Sequence, residues 1–240
     1  MKIVITGGSG YLGSALVNQL AVEHEVILLG RGKNQISWKL GLAPEVLDLR
    51  EIDAIVHMAW STHDRELDWH NNVGGTLRLA QFAQENKVPL LFISSVTATS
   101  QSYYGQSKLQ AEFLVLNCGG AVLRIGLVPG HSYIQIHSRK TYVRFIPNID
   151  SRIQVTYFEE LKSFIDDWLI NPWSSTFGEQ ITLVSNAPRF IDFMRKNSLV
   201  TVCVNVKLVT NVLSFLGAIS RTARNRLDSL ESLVSTVNSK

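Results

Sequence analysis

The sequence predicts an α/β chain built on a doubly wound parallel sheet. Two observations carry that expectation. Apolar, β-branched runs of strand length alternate with stretches of helical periodicity along the first half of the chain. The residues that end those runs, Gly7, Arg31, Asp48, Ala59 and Ser95, would then gather at the carboxyl edge of one sheet, where such folds bind ligands.

The first unit is Lys2-Ile3-Val4-Ile5-Thr6 followed by Gly7, Gly10 and Gly13. Ile3 to Ile5 read as a buried strand. Leu12, Ala15, Leu16, Gln19 and Leu20 then recur at helical spacing. Strand, glycine turn and helix in this order suit a dinucleotide pyrophosphate. Gly7 allows the tight turn, Gly10 lets the backbone approach the phosphates, and Gly13 lets helix and strand pack closely. The phosphates would sit at a helix N-terminus, where free amides and the dipole favour negative charge.

Glu25 to Leu29 is the second strand, ending in Gly30-Arg31-Gly32-Lys33. An acid at that end would accept from the 2′-hydroxyl of NAD(H). Arg31 suits a 2′-phosphate instead, so NADP(H) is favoured and NAD(H) is the alternative. Glu45 to Leu49 reads as a short third strand. Ile52 to Trp60 reads as the fourth, with His57 a buried strand histidine rather than a base. Asp64 to Gln84 carries a helical pattern. Gly74 and Gly75 inside it each cost about 1 kcal/mol relative to alanine, which implies close packing or a kink. Pro89 to Ser95 is the fifth strand, ending in two hydroxyls.

Tyr104-Gly105-Gln106-Ser107-Lys108 places a phenol and an ammonium on one helix face. A free phenol is a poor base at neutral pH, and a cation held close would lower its pKa. A hydroxyl from Ser95 could orient a substrate oxygen. Ser94 and Thr97 are rivals for Ser95, and Tyr103 for Tyr104, although Tyr103 has Ser107 four residues on. The set suits proton exchange with a hydroxyl or ketone while a nicotinamide exchanges hydride. Ala121 to Gly130 is the sixth strand and its exit. Between residues 131 and 152, Arg139, Lys140 and Arg144 belong to a basic cluster that could hold a diphosphate or be a solvated surface. Ile153 to Thr156, Glu159 to Leu169 and Ile181 to Val184 read as a strand, a helix and a late strand.

Composition bounds the rest. The chain has 240 residues, 45% hydrophobic and 18% charged, enough for a full core. A net charge of +3 is too mild to argue for nucleic acid. Cys118 and Cys203 stand far apart in apolar contexts, so they read as buried thiols in a reducing, cytoplasmic compartment and not as metal ligands. The chain enters a strand directly, with no signal segment expected. Leu199 to Ile219 is largely apolar but contains Lys207, which a spanning helix would not accommodate. Its first half looks like a strand and its second like a helix. Arg221, Arg224 and Arg226 follow, and keep contact with an anionic membrane surface as an alternative.

Thr6-Gly7-Gly8-Ser9-Gly10-Tyr11-Leu12-Gly13, the Ser94-Ser95 strand end and Tyr104 to Lys108 together resemble the extended short-chain dehydrogenase/reductase superfamily. This is the NAD-dependent epimerase/dehydratase type that modifies nucleotide sugars. The resemblance implies a Rossmann domain over residues 1–130. A small, shortened C-terminal substrate lobe would follow over 131–240, interleaved with it. It implies cofactor contacts from the glycine turn with Tyr11 and Leu12, from Asp48 and Leu49 at the adenine, and from Met58, Ala59 and Trp60. Asn72, Ile125 and Val128 are implied nearer the active site, the last two beside the nicotinamide. Ser95, Tyr104 and Lys108 become a catalytic triad, with Lys108 also reaching the cofactor ribose.

The implied activity is NAD(P)-dependent reduction or epimerisation of a nucleotide-linked sugar through a 4-keto group, in a chain that can pair as a homodimer. Two other readings stay open: an NADP(H)-binding regulatory or scaffold protein with a vestigial triad, and a reductase of small non-sugar carbonyl compounds. Three departures stand out. Ser95 and Tyr104 are only nine residues apart, closer than in most members; Trp60 replaces the usual alanine; and Ile125 and Pro129 replace a proline and a tyrosine.

Overall fold

A computed structural model describes residues 1–32, 35–42, 52–61, 68–128, 154–172 and 180–185, with the backbone of two strands at 143–147 and 200–204. The strands are β1 (Lys2–Thr6), β2 (Glu25–Gly30), β3 (Ile36–Ser37), β4 (Ala54–His57), β5 (Leu90–Ser95), β6 (Ala121–Ile125), β7 (Val143–Pro147), β8 (Gln180–Leu183) and β9 (Val200–Val204). The helices are α1 (Tyr11–Leu20), α2 (Gly75–Glu85), α3 (Tyr103–Asn117) and α4 (Phe158–Ile170).

Seven strands form one parallel sheet in the order β3-β2-β1-β4-β5-β6-β8. The order reverses direction between β1 and β4. That reversal opens a crevice at the carboxyl ends of these two strands, where α/β folds bind ligands. β7 and β9 form a separate parallel pair.

Strand alternation explains why the sheet is covered on both faces. Ile3, Ile5, Ala54, Val56, Leu91, Ile93 and Leu123 face α1 and α4, meeting Leu16, Leu20, Leu161, Ile165 and Trp168. Val4, Ile55, Leu90, Phe92 and Val122 face α2 and α3, meeting Leu79, Ala80, Ala83, Ala111 and Val115. Each fully buried Leu or Ile contributes roughly 1.5–3 kcal/mol, so these two layers dominate the stability.

Several expectations change here. The expected third strand, Glu45 to Leu49, lies outside the described residues, and the strand beside β2 is the two-residue β3. Of the helical pattern from Asp64 to Gln84, residues 64–67 lie outside the described residues, and a π-helical turn, His70–Gly74, runs into α2. A Cβ on Gly75 would stand 2.5 Å from the Gly41 amide nitrogen, so Gly75 serves close packing, whereas a Cβ on Gly74 would meet only Arg78 Nη1 at 3.5 Å, an ordinary contact. The expected strand over Ile153 to Thr156 is only a bridge, in which Val155 joins Leu127 and Ser185. Cys118 is half-buried rather than buried, and burial still pushes its thiol pKa up. Of the apolar stretch from Leu199, only β9 is described. Among the described residues no helix is long and apolar enough to cross a membrane.

Candidate active site

The glycine turn is built by backbone contact. Gly7 ends β1 at φ +75°, a left-handed conformation that favours glycine. A Cβ there would meet the Ala59 nitrogen at 2.7 Å, so the turn lies directly on the exit of β4. A Cβ on Gly13 would fall 2.2 Å from the Gly7 carbonyl oxygen. Gly13 thus packs α1 against the turn, rather than against the strand as the sequence suggested. Gly10 differs. The only described atom near its Cβ position is the Gly7 oxygen at 3.2 Å, which leaves space on its outer side. Gly10 is also the N-cap of α1 and no side chain caps that helix, so its first amides keep the character of an anion seat. Tyr11 and Leu12, in the first turn, are half-buried.

A buried hydrogen-bond chain fixes the β4 exit beside this turn. Thr76 Oγ1 donates to the Asn72 carbonyl at 2.6 Å, so it must accept from His57 Nε2 at 3.0 Å. That leaves His57 Nδ1 to accept from Thr6 Oγ1 at 2.6 Å. Thr6 Oγ1 in turn accepts from the amides of Met58 and Ala59 at 3.2 and 3.1 Å. The chain requires a neutral imidazole. Burial, and then the charge of Lys108, pull the His57 pKa down to about 3. His57 is the buried strand histidine that the sequence suggested. Asn72 Nδ2 donates to the Ser61 carbonyl at 2.7 Å, and its Oδ1 accepts from the Ser61 amide at 2.8 Å. Its amide therefore supports the segment carrying Met58, Ala59 and Trp60.

Ser95 and Tyr104 meet although the link between them is short. Residues Val96–Thr99 form one 3-10 turn. Ser102 then caps α3, accepting from the Gly105 amide at 3.1 Å. A Cβ on Gly105 would stand 2.3 Å from both the Thr97 carbonyl oxygen and Ser100 Oγ. Gly105 is what lets α3 dock onto the turn. Ser95 Oγ accepts from the Thr97 amide at 3.2 Å and from Thr97 Oγ1 at 2.9 Å, and its hydroxyl stands near enough to the Tyr104 phenol to lower that group's pKa. Thr97 thus supports Ser95 rather than replacing it. Ser94, on the opposite face of β5, donates to Glu112 Oε1 at 2.5 Å. Tyr103 stacks at a tilt on Trp69, with centroids 5.2 Å apart.

Lys108 lies one turn beyond Tyr104 but does not act on it as the spacing suggested. Its Nζ donates to the Ile93 carbonyl at 3.0 Å. It lies 3.8 Å from the Trp60 ring centre, 4.5 Å from that of Phe92 and 6.0 Å from that of Tyr104. Burial pulls the Lys108 pKa down to about 7, against an opposing push from Glu112. Burial pushes Tyr104 up to about 12, and the nearby Ser95 hydroxyl offsets only part of this. The expected lowering of the phenol pKa is absent because the ammonium turns into the protein.

Three participants escaped the sequence reading. Glu112 binds Arg124 through both oxygens, at 2.9 and 2.6 Å, beneath Ser94 and Lys108. The Lys108–Glu112 spacing of four on one helix was the available signal; Arg124 becomes a neighbour only through its register opposite Ser94. Gly105, inside the motif itself, was passed over.

The remaining candidates are placed as follows. Arg31 is exposed just past β2, two residues after Leu29, which pairs with Thr6 of β1. Ile125 stands opposite Ser95 in register and is buried, as is Val128. Arg144 lies in β7, opposite Thr201. Asp48, Leu49, Arg139 and Lys140 lie outside the described residues.

The family model described as NAD dependent epimerase/dehydratase family matches residues 3–164. Among solved structures, the chain is similar to dTDP-4-dehydrorhamnose reductase from Yersinia enterocolitica, at 23% identity over 84% of each chain with a TM-score of 0.66. It is similar to dTDP-glucose 4,6-dehydratase from Bacillus anthracis str. Ames in complex with NAD, at 16% identity over 85% of each chain and a TM-score of 0.70. It is also similar to RMD from Pseudomonas aeruginosa complexed with NADPH, at 20% identity, 85% of this chain, 87% of that one and a TM-score of 0.67. At these identities the structural likeness is one of fold.

Proposed function

Because the chain belongs to the NAD dependent epimerase/dehydratase family, we propose that it reduces the keto group of a nucleotide-linked sugar with a nicotinamide cofactor, NADPH by preference. The observation that carries this reading is the closeness of the Ser95 hydroxyl to the Tyr104 phenol at the carboxyl edge of the sheet. It is supported by the glycine turn, whose outer side at Gly10 leaves room for a phosphate. Arg31, exposed past β2, would meet a 2′-phosphate. The bound nicotinamide would supply hydride to the carbonyl carbon.

The chain's own residues manage the proton. With its pKa pushed up to about 12, Tyr104 is a protonated phenol at neutral pH. A protonated phenol is an acid, which suits reduction: its proton passes to the carbonyl oxygen as that oxygen takes up the electron pair of the C=O bond. Ser95 orients the oxygen beside it. Ile125, opposite Ser95, makes the adjoining wall apolar. Arg139, Lys140 and Arg144 are proposed to hold the diphosphate of the substrate. The choice of a sugar nucleotide follows the names of the similar structures, dTDP-4-dehydrorhamnose reductase among them.

The test is loss of NADPH absorbance with dTDP-linked and GDP-linked 4-keto sugars, followed by the same assay on Tyr104→Phe. Turnover that falls with Tyr104→Phe supports the reading. NADPH binding without turnover on any carbonyl would favour a second reading, a nicotinamide-binding regulator. One observation speaks for that alternative: the Lys108 ammonium lies against Trp60 and is bonded to the Ile93 carbonyl, 6.0 Å from the centre of the Tyr104 ring. Turnover confined to small ketones would point to a non-sugar carbonyl reductase.

A further inference from the structure

Lys108 is only 4% exposed. A buried ammonium needs compensation, usually a bound carboxylate. The carboxylate that acts on it among the described residues, Glu112, instead accepts from Ser94 and from both arms of Arg124. What faces the Lys108 charge is the Trp60 indole at 3.8 Å, with Phe92 at 4.5 Å and the Ile93 carbonyl at 3.0 Å. An indole face is the strongest of the aromatic partners for a cation. The same indole meets the Tyr104 ring at 81°, with centroids 6.4 Å apart.

We propose that Trp60 is a positioning residue: its indole face holds the Lys108 amino group as a cation, and it braces the ring of Tyr104. The consequence for turnover rests on the carbonyl reduction proposed above; the effect on Lys108 does not. Among the described residues, the titratable and charged groups around Lys108 are few. Tyr104 and Glu112 come from its own helix and His57 from β4, while Arg124 of β6 is joined to Glu112. His57 is neutral, with both ring nitrogens in hydrogen bonds. Arg78 of α2 donates to the Gly41 carbonyl. Among the described residues the indole is the nearest ring to the charge, which the Ile93 carbonyl and Glu112 also favour. It favours the charged form and so raises the Lys108 pKa against burial. Without it, the lysine should lose its proton at lower pH.

The experiment follows the Lys108 Cε resonance of protein carrying 13C-lysine, assigned by its loss in Lys108→Arg, across a pH titration. The native midpoint is expected near 7. Trp60→Leu keeps apolar volume but removes the π face, and should lower the midpoint by roughly one pH unit. Trp60→Phe keeps a face and should stay close to native. If Trp60→Leu does not fold, Trp60→Met replaces it with the same expectation. An unchanged midpoint in the Leu or Met variant overturns the proposal, as does a Phe variant that shifts as far as Leu. Kinetics then separate the two readings. A shifted midpoint in a protein without reductase turnover upholds Trp60 as the holder of the Lys108 charge and removes the proposed reaction. Turnover with an unmoved midpoint removes the role of Trp60 alone. With both intact, the alkaline limb of kcat/KM should move to lower pH in Trp60→Leu by the same amount as the resonance.

Discussion

Ser95 and Tyr104, nine residues apart in the chain, bring their side chains close enough for the serine hydroxyl to lower the pKa of the phenol. The phenol is held protonated and the serine is held by Thr97. Tyr104→Phe removes one hydroxyl and little volume, so folding and NADPH affinity should persist while kcat drops on the order of 10²–10⁴. Tyr103→Phe is the control, because Tyr103 packs on Trp69 instead. Near-native turnover in Tyr104→Phe would remove the assignment.

Arg31 governs the cofactor prediction. Tighter binding of NADPH than NADH is expected in fluorescence titrations. Arg31→Asp should weaken NADPH by roughly 1–3 kcal/mol and flatten or reverse the preference. Equal native affinities for both cofactors would contradict it.

Stability should depend on pH in a defined direction. The folded-state pKa of His57 lies near 3, below its ordinary 6.5, and that of Lys108 near 7, below its ordinary 10.5. Both groups are depressed by burial, so each favours the folded state above its ordinary pKa. His57 loses that contribution as pH falls from 6.5 towards 3, and Lys108 as pH falls from 10.5 towards 7. Calorimetry should show Tm rising with pH across both windows. Lys108→Met should raise stability at neutral pH, by roughly 2–5 kcal/mol, and flatten the upper window. A Tm that falls between pH 7 and 10 in the native protein would count against this.

Gly105→Ala tests the docking of α3. Alanine is the better helix former, by about 1 kcal/mol. Its Cβ would stand 2.3 Å from the backbone oxygen of Thr97, which has little freedom to move. A net loss of about 1–3 kcal/mol is expected, read as a lower urea midpoint. Any displacement of α3 should also lower turnover without changing NADPH affinity. A stabilised variant would mean the helix is not clamped there.

If Arg139, Lys140 and Arg144 hold a diphosphate, replacing all three with alanine should raise KM for a sugar nucleotide and leave cofactor affinity alone. Unaltered kinetics would make the cluster an ordinary solvated surface.

Much of the fold was legible because β-branched runs and glycine turns are local signals. β4, β5 and β6 fall inside the stretches read as strands, and β1 and β2 match theirs to within one residue at an end. β3 was not, since two residues, Ile36 and Ser37, carry no period. The π-helical turn was not, because a helical pattern does not distinguish it from an α-helix. In the site, spacing brought Ser95, Tyr104 and Lys108 to neighbouring positions. It did not give the direction of the Lys108 side chain, which packs against Trp60, just past β4, and Phe92 of β5. Nor could it give the bonds of Glu112 to Ser94 and Arg124, which depend on the register of β5 with β6.

The clamp at Gly105 bears on timing. With the 3-10 turn, the Ser102 cap and the glycine contact, Ser95 and Tyr104 belong to one rigid body. Their meeting needs no segment to swing shut. Where lid closure often sets an enzyme's pace on the microsecond-to-millisecond scale, this pair would already stand assembled when a ligand arrives.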